Sequence, residues 1–248
     1  MNEYLCGRQP VFEALRARRR RVMRLLVLQS SRPCDILHRT LRLADERAIP
    51  VRQVEQRALT ALVGGANHQG IAAECGTFPY ADFAMMARGL ADRKEPALLL
   101  VLDHVEDPQN LGALLRSADA AGVHGVILPR DRAVHVTPAV VRASAGASEH
   151  AQVALVTNLV HTLEELKDEG LRVAGLEGSP DATLYTAADL TGPIALVVGS
   201  EGFGLKRLVR EACDLLVRLP MRGKTGSLNA GAAGAVALYE VLRQRQAI

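Results

Sequence analysis

The sequence predicts an α/β protein with two modules, a small N-terminal one and a larger C-terminal one built on a parallel sheet. In the second half, short continuous apolar runs alternate with stretches of helical periodicity, a pattern typical of parallel strands covered on both faces. The charged residues are also distributed unevenly between the two modules. Residues 1–76 hold 13 arginines, no lysine and 7 acids, whereas the rest of the chain holds 17 basic and 20 acidic residues. This net excess of basic residues marks residues 1–76 as a separate module.

The first module reads as a small α/β unit. Val11 and Leu15 lie at helical spacing, which predicts an amphipathic helix, and the later apolar runs are short enough to be strands. The predicted elements are two helices, Arg8–Arg18 and Ile36–Arg47, and three strands, Val22–Leu28, Val51–Val54 and Gly70–Cys75.

Four consecutive arginines, Arg18 to Arg21, form the most concentrated charge in the chain, in a predicted turn where side chains can point outward. Such a surface suits a polyanion such as RNA, because arginine binds phosphate bidentately and neutralising phosphates releases condensed counterions. A merely solvated charge cluster is the alternative. The chain has no tryptophan and few other aromatics, so base stacking is not expected to dominate RNA contacts.

Residues 77–96 are predicted to form a linker with a short helix, since prolines lie near both ends and apolar periodicity is weak. Residues 97–248 then form the second domain. No period of 20 to 50 residues repeats, which excludes a solenoid. Six strands are predicted in this domain: Leu98–Leu102, Gly125–Leu128, Val153–Val156, Arg172–Leu176, Ile194–Val198 and Leu215–Leu219.

The cysteines and the hydropathy limit the class of protein. The four cysteines have no spacing that would build a tetrahedral metal site, so we expect reduced structural thiols and no metal. We find neither a secretory leader nor an apolar run of about twenty residues, so we expect a cytoplasmic protein with no membrane contact.

Three loops that follow predicted strands hold the residues suited to chemistry. The first is Asp107–Gly112, which leads into a helix, with Asn110 near the helix entrance and Arg116 six residues further on. Open α/β sheets bind ligands at the carboxyl ends of their strands, which favours a functional role for this loop. The structural alternative is that Asn110 caps the helix and Arg116 lies on the surface.

The second loop, Gly199–Gly204, places three glycines around the carboxylate of Glu201. Glycine lets a ligand approach the backbone closely. The spacing is G-x-x-G-x-G and comes late in the domain, so it is not the dinucleotide fingerprint. An ordinary turn with Glu201 as a capping partner is the alternative.

The third segment, Leu219–Asn229, leaves a strand and enters a helix of small residues that begins at Ala230. Ser227 could cap that helix. The small residues predict that another element packs closely onto the helix. The segment lacks the spacing of a nucleotide-binding P-loop.

Taken together, the three segments resemble the motifs of the SpoU branch of the SPOUT methyltransferases, the TrmH-like RNA ribose 2′-O-methyltransferases. The motifs appear as Asp107–Arg116, Gly199–Gly204 and Leu219–Glu240. The resemblance continues into the first module, where Gly7–Leu15 and Asn67–Ile71 look like the substrate-binding domain of the bacterial large-subunit rRNA members. Within the family, the chain looks most like the members that methylate a guanosine in the peptidyl-transferase P-loop of 23S rRNA.

The resemblance implies a SPOUT domain with a trefoil knot, an N-terminal domain like ribosomal protein L30e, S-adenosylmethionine as cofactor, an rRNA substrate and a homodimer whose active site lies at the subunit interface. The sequence departs from the family at Gly231, where a hydroxyl residue is usual. The resemblance implies five catalytic residues and three cofactor-binding residues: Asn110, Arg116, Glu201, Ser227 and Asn229, and Gly199, Leu219 and Leu228.

The implied chemistry needs alignment and proton removal, because a sulfonium already activates the methyl group. By the resemblance, Asn110 and Arg116 hold the ribose hydroxyl and its neighbouring phosphate. Free arginine has a pKa above about 12 and is a poor base, so we favour Arg116 as a bidentate phosphate clamp, with a phosphate oxygen or water accepting the proton. Arg116 acting as the base is the other hypothesis.

Three other functions compete with this one. The same chemistry on tRNA is the nearest, and the separate basic module favours rRNA. A non-catalytic RNA-binding protein should have lost Asn110, Arg116 or Glu201, and all three are present. A nucleotide-dependent oxidoreductase should carry an early glycine fingerprint, which this chain lacks.

Overall fold

The computed structural model describes residues 2–90 and 93–246. The chain divides into two compact units. One comprises the residues up to Pro79 together with Val136–His150, and the other comprises Tyr80–His135 together with the residues from Ala151 onward. Val136–His150 lies inside the predicted domain 97–248, but it packs with the N-terminal unit, which the sequence pattern did not indicate.

The strands and helices alternate along most of the chain. In chain order they are β1 (Glu3–Cys6), α1 (Arg8–Ala17), β2 (Val22–Leu28), α2 (Asp35–Asp45), β3 (Val51–Val54), α3 (Gln56–Leu62), β4 (Ile71–Cys75), α4 (Phe83–Arg88), β5 (Leu98–Asp103), α5 (Pro108–Ala120), β6 (Gly125–Pro129), α6 (Pro138–Ala143), β7 (Val153–Val156), α7 (Leu159–Asp168), β8 (Arg172–Leu176), β9 (Thr183–Leu184), β10 (Ile194–Gly199), α8 (Arg207–Glu211), β11 (Leu215–Arg218) and α9 (Ala230–Gln246).

The N-terminal unit is the predicted small α/β module. Its sheet has the order β1-β4-β2-β3, in which β4 runs antiparallel to β1 and β2, while β3 runs parallel to β2. Strands β2 and β3 have the predicted bounds. Strand β1 and helix α3 were not predicted from the sequence.

The arginine run Arg18–Arg21 is only partly the outward-pointing cluster that the sequence predicted. Arg20 is buried, with its guanidinium ion-paired to Glu3 and Glu149. Burial raises the pKa of the Glu149 carboxyl, and the attraction of Arg20 opposes that rise. The prediction was wrong for Arg20, because a buried arginine needs charged partners and those partners lie far away in the sequence.

The C-terminal unit holds the predicted parallel sheet, in the order β7-β6-β5-β10-β8-β11-β9. All the strand pairs within it are parallel. The six predicted strands match the observed ones to within one residue at each end. Every residue of β5, β6 and β10 is buried, which explains why these strands appear as apolar runs, with Asp103 at the end of β5 as the one charged residue.

The predicted close packing onto the helix of small residues is confirmed, and the neighbour is α5. A Cβ placed on Gly231 would lie 3.0 Å from the Cβ of Ala113, and one on Gly234 would overlap Leu114. A larger residue at either position would therefore push α9 away from α5. The threading of this unit as a trefoil knot stays a prediction of the resemblance.

The remaining sequence expectations concern the thiols and the membrane. The four cysteines are free, and burial raises the pKa of Cys75 and of Cys213 to about 12, so both thiols are protonated at neutral pH. Within the described ranges, no helix is both long enough and apolar enough to cross a bilayer. The described residues also bring no three metal-ligating side chains together.

Candidate active site

The loop after β5 leads into α5, and Asp107 caps the N-terminus of this helix. Its side chain accepts a hydrogen bond from the backbone N of Asn110 at 3.1 Å, and Pro108 follows in the first turn. Asn110 therefore lies inside α5 and does not cap it. Its side chain is buried and is directed to other partners.

The glycine loop after β10 folds back on itself. Ser200 and Gly204 exchange backbone hydrogen bonds of 3.2 and 3.0 Å. A Cβ on Gly199 would lie 2.6 Å from the backbone N of Leu205, so only glycine fits at that position. Gly202 and Gly204 have φ angles of 78° and 65°, which glycine adopts without strain. The loop is thus a tight hairpin that carries Glu201.

The three sequence segments meet in a chain of side-chain hydrogen bonds. The Nδ2 of Asn110 donates to Oε1 of Glu201, and the Nδ2 of Asn229 donates to Oδ1 of Asn110 at 2.5 Å. The Oδ1 of Asn229 accepts from the backbone N of Ala232 at 3.1 Å, so Asn229, and not Ser227, caps α9. Each bond fixes the next amide, which leaves a preorganised polar cluster suited to orienting a hydroxyl group.

A cleft of about 260 Å³ opens beside this cluster. The ends of β8 and β10, the glycine loop and the segment from Leu219 to Ala233 supply its walls. The three residues expected to bind the cofactor, Gly199, Leu219 and Leu228, all line it, as do Glu201 and Ser227. The cleft combines backbone polar groups with apolar side chains, a lining typical of small-molecule sites.

Arg116 lies apart from the hydrogen-bonded cluster. It is exposed on α5, and the described residues give it no hydrogen bond or ion pair. It lies six positions after Asn110 along the helix, a rise of about 9 Å. The guanidinium is therefore accessible to a large ligand such as RNA.

Gly231, where the sequence departs from the family pattern, lies against the cluster. A Cβ at this position would be 3.1 Å from Oδ1 of Asn229 and 3.5 Å from Oδ1 of Asn110. The position is therefore tight in this chain, and glycine leaves the two amides unobstructed.

Asp103, which ends β5 and pairs in register with Gly199, is a residue of this region that the sequence pattern did not indicate. Its fully buried carboxylate accepts from the backbone N of Lys206 at 2.6 Å through Oδ2, and Oδ1 is hydrogen-bonded to His104 at 2.5 Å. Asp103 thus ties the end of the glycine loop to the neighbouring strand. An acid at the end of an otherwise apolar strand was the signal that could have identified it.

We predict that Asp103→Ala lowers the free energy of unfolding by about 2 kcal/mol, because the backbone N–H of Lys206 loses its charged, buried acceptor. Asp103→Asn should be less destabilised, since the amide oxygen can still accept from Lys206. Denaturant unfolding of the two variants measures this difference. Equal stability of Asp103→Ala and the wild type would show that the loop does not depend on this bond.

Comparisons with known proteins agree with this geometry. Residues 97–239 match the SpoU rRNA Methylase family, and residues 4–81 match the family described as RNA 2′-O ribose methyltransferase substrate binding. The chain is 39% identical over 247 residues to a putative TrmH family tRNA/rRNA methyltransferase of Bacillus subtilis, covering 100% of this chain and 98% of that one.

One further relative supports the same assignment, and one solved structure shares the fold. A 23S rRNA (guanosine-2′-O-)-methyltransferase of Pseudomonas syringae is 48% identical over 206 residues, which cover 83% of this chain and 81% of its own. The crystal structure of the SpoU methyltransferase AviRb from Streptomyces viridochromogenes, in complex with AdoMet, aligns with a TM-score of 0.81. It is 24% identical, and the alignment covers 100% of this chain and 92% of that one. The chain therefore belongs to the SpoU family of rRNA methylases, as the three sequence motifs had indicated.

Proposed function

We propose that this protein transfers the methyl group of S-adenosylmethionine to a ribose 2′-hydroxyl of ribosomal RNA. The observation that carries the proposal is the meeting of Asn110, Glu201 and Asn229 beside the cleft, since these residues come from three separate family motifs. The most specific form of the proposal has a guanosine of the 23S rRNA peptidyl-transferase P-loop as the target. The likeness to the Pseudomonas 23S rRNA (guanosine-2′-O-)-methyltransferase supports the guanosine and the 23S rRNA, and the P-loop rests on the sequence resemblance.

The cleft suits the cofactor. Gly199 and its loop present backbone groups that an adenosine can approach closely, and Leu219 and Leu228 offer apolar walls. S-adenosylmethionine supplies a methyl group on a sulfonium, which needs no metal to activate it. We assign Gly199, Leu219 and Leu228 to cofactor binding.

Asn110 is suited to hold the ribose hydroxyl. Its amide is fixed by Glu201 on one side and Asn229 on the other, so an incoming hydroxyl meets an oriented group. Glu201 and Asn229 position it by joining the glycine loop to α9. Ser227, which lies in the cleft wall and does not cap α9, is available to the substrate or the cofactor.

Arg116 is assigned to the RNA phosphate next to the target ribose. Its exposure leaves the planar guanidinium available for a bidentate contact. In this assignment the proton of the 2′-hydroxyl passes to a phosphate oxygen or to water. Arg116 as the base is the other candidate.

Substrate choice is tested by supplying the full-length protein with labelled S-adenosylmethionine and either a 23S rRNA transcript or bulk tRNA. We expect label in the 23S transcript. Label in tRNA alone would favour the tRNA alternative. A strain lacking the gene should lose one 2′-O-methyl group from its 23S rRNA. A homodimer and a cytoplasmic location remain proposals that accompany this function.

The basic N-terminal unit is proposed to attract the RNA. Because Arg20 is buried, only exposed arginines such as Arg18 and Arg21 can meet phosphates. We predict that the double variant Arg18→Ala/Arg21→Ala lowers the slope of log affinity against log salt by about 0.7 to 0.9 for each phosphate that the variant no longer neutralises. RNA binding across a salt series measures the slope.

The matched control is Arg207→Ala/Arg210→Ala, which removes the same charge from α8 in the other unit. Its slope should stay near that of the wild type. If the Arg18/Arg21 variant also keeps the wild-type slope, that pair is only solvated surface. Arg20→Ala should instead unfold more easily, because Glu149 would lose its partner.

A further inference from the structure

One carboxylate of the cleft is not part of the hydrogen-bonded cluster. Glu177 and Glu201 are the two ionisable side chains in the cleft lining, and Glu201 is bonded to Asn110. Glu177 has a single side-chain hydrogen bond among the described residues, from the backbone N of Gly178 to its Oε1 at 3.1 Å. No arginine, lysine or histidine of the described chain pairs with it.

The position of Glu177 is set by the sheet. It directly follows β8, whose last residue, Leu176, pairs in register with Val198 of β10. The backbone N of Glu177 also donates to the carbonyl oxygen of Val217 at 2.9 Å. A Cβ built on Gly204 would lie 3.6 Å from Oε2 of Glu177. The free carboxylate oxygen is therefore held close to the backbone of the glycine loop.

A carboxylate held at this place can bind a specific part of a ligand. At the carboxyl end of a parallel strand, beside a glycine loop, an acid can accept hydrogen bonds from the hydroxyls of a ribose. An ion pair with a cation is the weaker candidate, because a partly exposed ion pair contributes little to binding.

We propose that Glu177 is a cofactor-specificity residue that accepts hydrogen bonds from the ribose hydroxyls of the cofactor's adenosine. The inference rests on the proposed use of S-adenosylmethionine. It assigns Glu177 a part in binding and none in methyl transfer. Leu176 and the glycine loop line the same cleft and are then available to contact the nucleoside.

The test is calorimetry on the full-length protein with S-adenosylhomocysteine and with its 2′-deoxy and 3′-deoxy analogues. Wild type should bind the parent roughly tenfold or more tightly than at least one deoxy analogue, as expected for loss of a charge-assisted hydrogen bond. Glu177→Ala should bind parent and analogues with equal affinity. Glu177→Gln, which keeps a neutral acceptor in the same shape, should discriminate less than wild type and more than Glu177→Ala.

Asp181→Ala is the matched control, since it removes an exposed acid four residues further on that does not line the cleft. It should discriminate like wild type. Discrimination that persists in Glu177→Ala, or an equal loss of affinity for parent and analogues, would overturn the inference and place the carboxylate against another part of the ligand. If wild type does not bind S-adenosylhomocysteine at all, the cofactor proposal itself fails.

Discussion

Replacing Arg116 with alanine is expected to reduce methyl transfer by about a hundred- to a thousandfold while cofactor affinity stays nearly unchanged. A phosphate clamp acts on the RNA in the transition state and does not touch the methyl donor. Arg116 is exposed and has no partner among the described residues. The alanine variant should therefore have nearly the same free energy of unfolding as the wild type. Single-turnover kinetics with rRNA and calorimetry with cofactor measure the two quantities.

Arg116→Lys distinguishes a clamp from a general positive charge. A point charge cannot reproduce the planar fork, so lysine should restore little activity. The control is Arg88→Ala, an exposed arginine on α4 in the same unit. Near-normal turnover of Arg116→Ala would show that Arg116 is a surface residue without a catalytic part.

The second large effect is expected at Gly199. A Cβ there would overlap the carbonyl group of Gly204 and crowd the backbone N of Leu205, so Gly199→Ala must open the hairpin that carries Glu201. Overpacking of this kind costs about 1 to 3 kcal/mol. Because the displaced loop lines the cleft, we expect cofactor affinity to fall by tenfold or more, since each 1.4 kcal/mol is roughly tenfold.

Gly192→Ala is the matched control for this substitution, because a Cβ at Gly192 meets no atom within 4 Å. Calorimetry and thermal unfolding of both variants separate lost binding from lost folding. Cofactor affinity of Gly199→Ala equal to that of Gly192→Ala would mean that the hairpin does not form the cofactor site.

The parallel sheet could be predicted from the sequence because its strands are buried on both faces. Runs such as Leu98–Leu102 and Ile194–Val198 carry no polar interruption, so their length alone marks them as strands. The small residues of α9 likewise predicted a close neighbour. In both cases a local property of the sequence, an apolar run or a series of small residues, is enough to predict the structure.

Other features depend on partners that are distant in the sequence. Asn110 and Glu201 are 91 residues apart, and a single sequence without the family resemblance would not pair them. The burial of Arg20 depends on Glu149, 129 residues away. The grouping of Val136–His150 with the N-terminal unit also depends on contacts that are distant in the sequence. The local sequence of this segment resembles that of any other short amphipathic helix and does not show which unit it packs with.

The motifs singled out candidate site residues, and the structure brings Asn110, Glu201 and Asn229 together. The motifs did not show which side chains bond to one another. Asp107 and Asn229 act as the helix caps in place of Asn110 and Ser227. Capping preference assigns nearly equal weight to Ser, Asn and Asp, so neighbouring candidates cannot be separated without geometry. Asp103 was missed because no motif spacing singles it out.

The most direct test of the central claim is analysis of the RNA product. A 23S rRNA fragment that contains the peptidyl-transferase P-loop is incubated with the full-length protein and labelled S-adenosylmethionine, then digested to nucleosides and separated by mass spectrometry. The proposed function predicts label in 2′-O-methylguanosine, and only background label with Arg116→Ala. Label on a base, or no label in 2′-O-methylguanosine, would contradict the assignment of this site to ribose methylation.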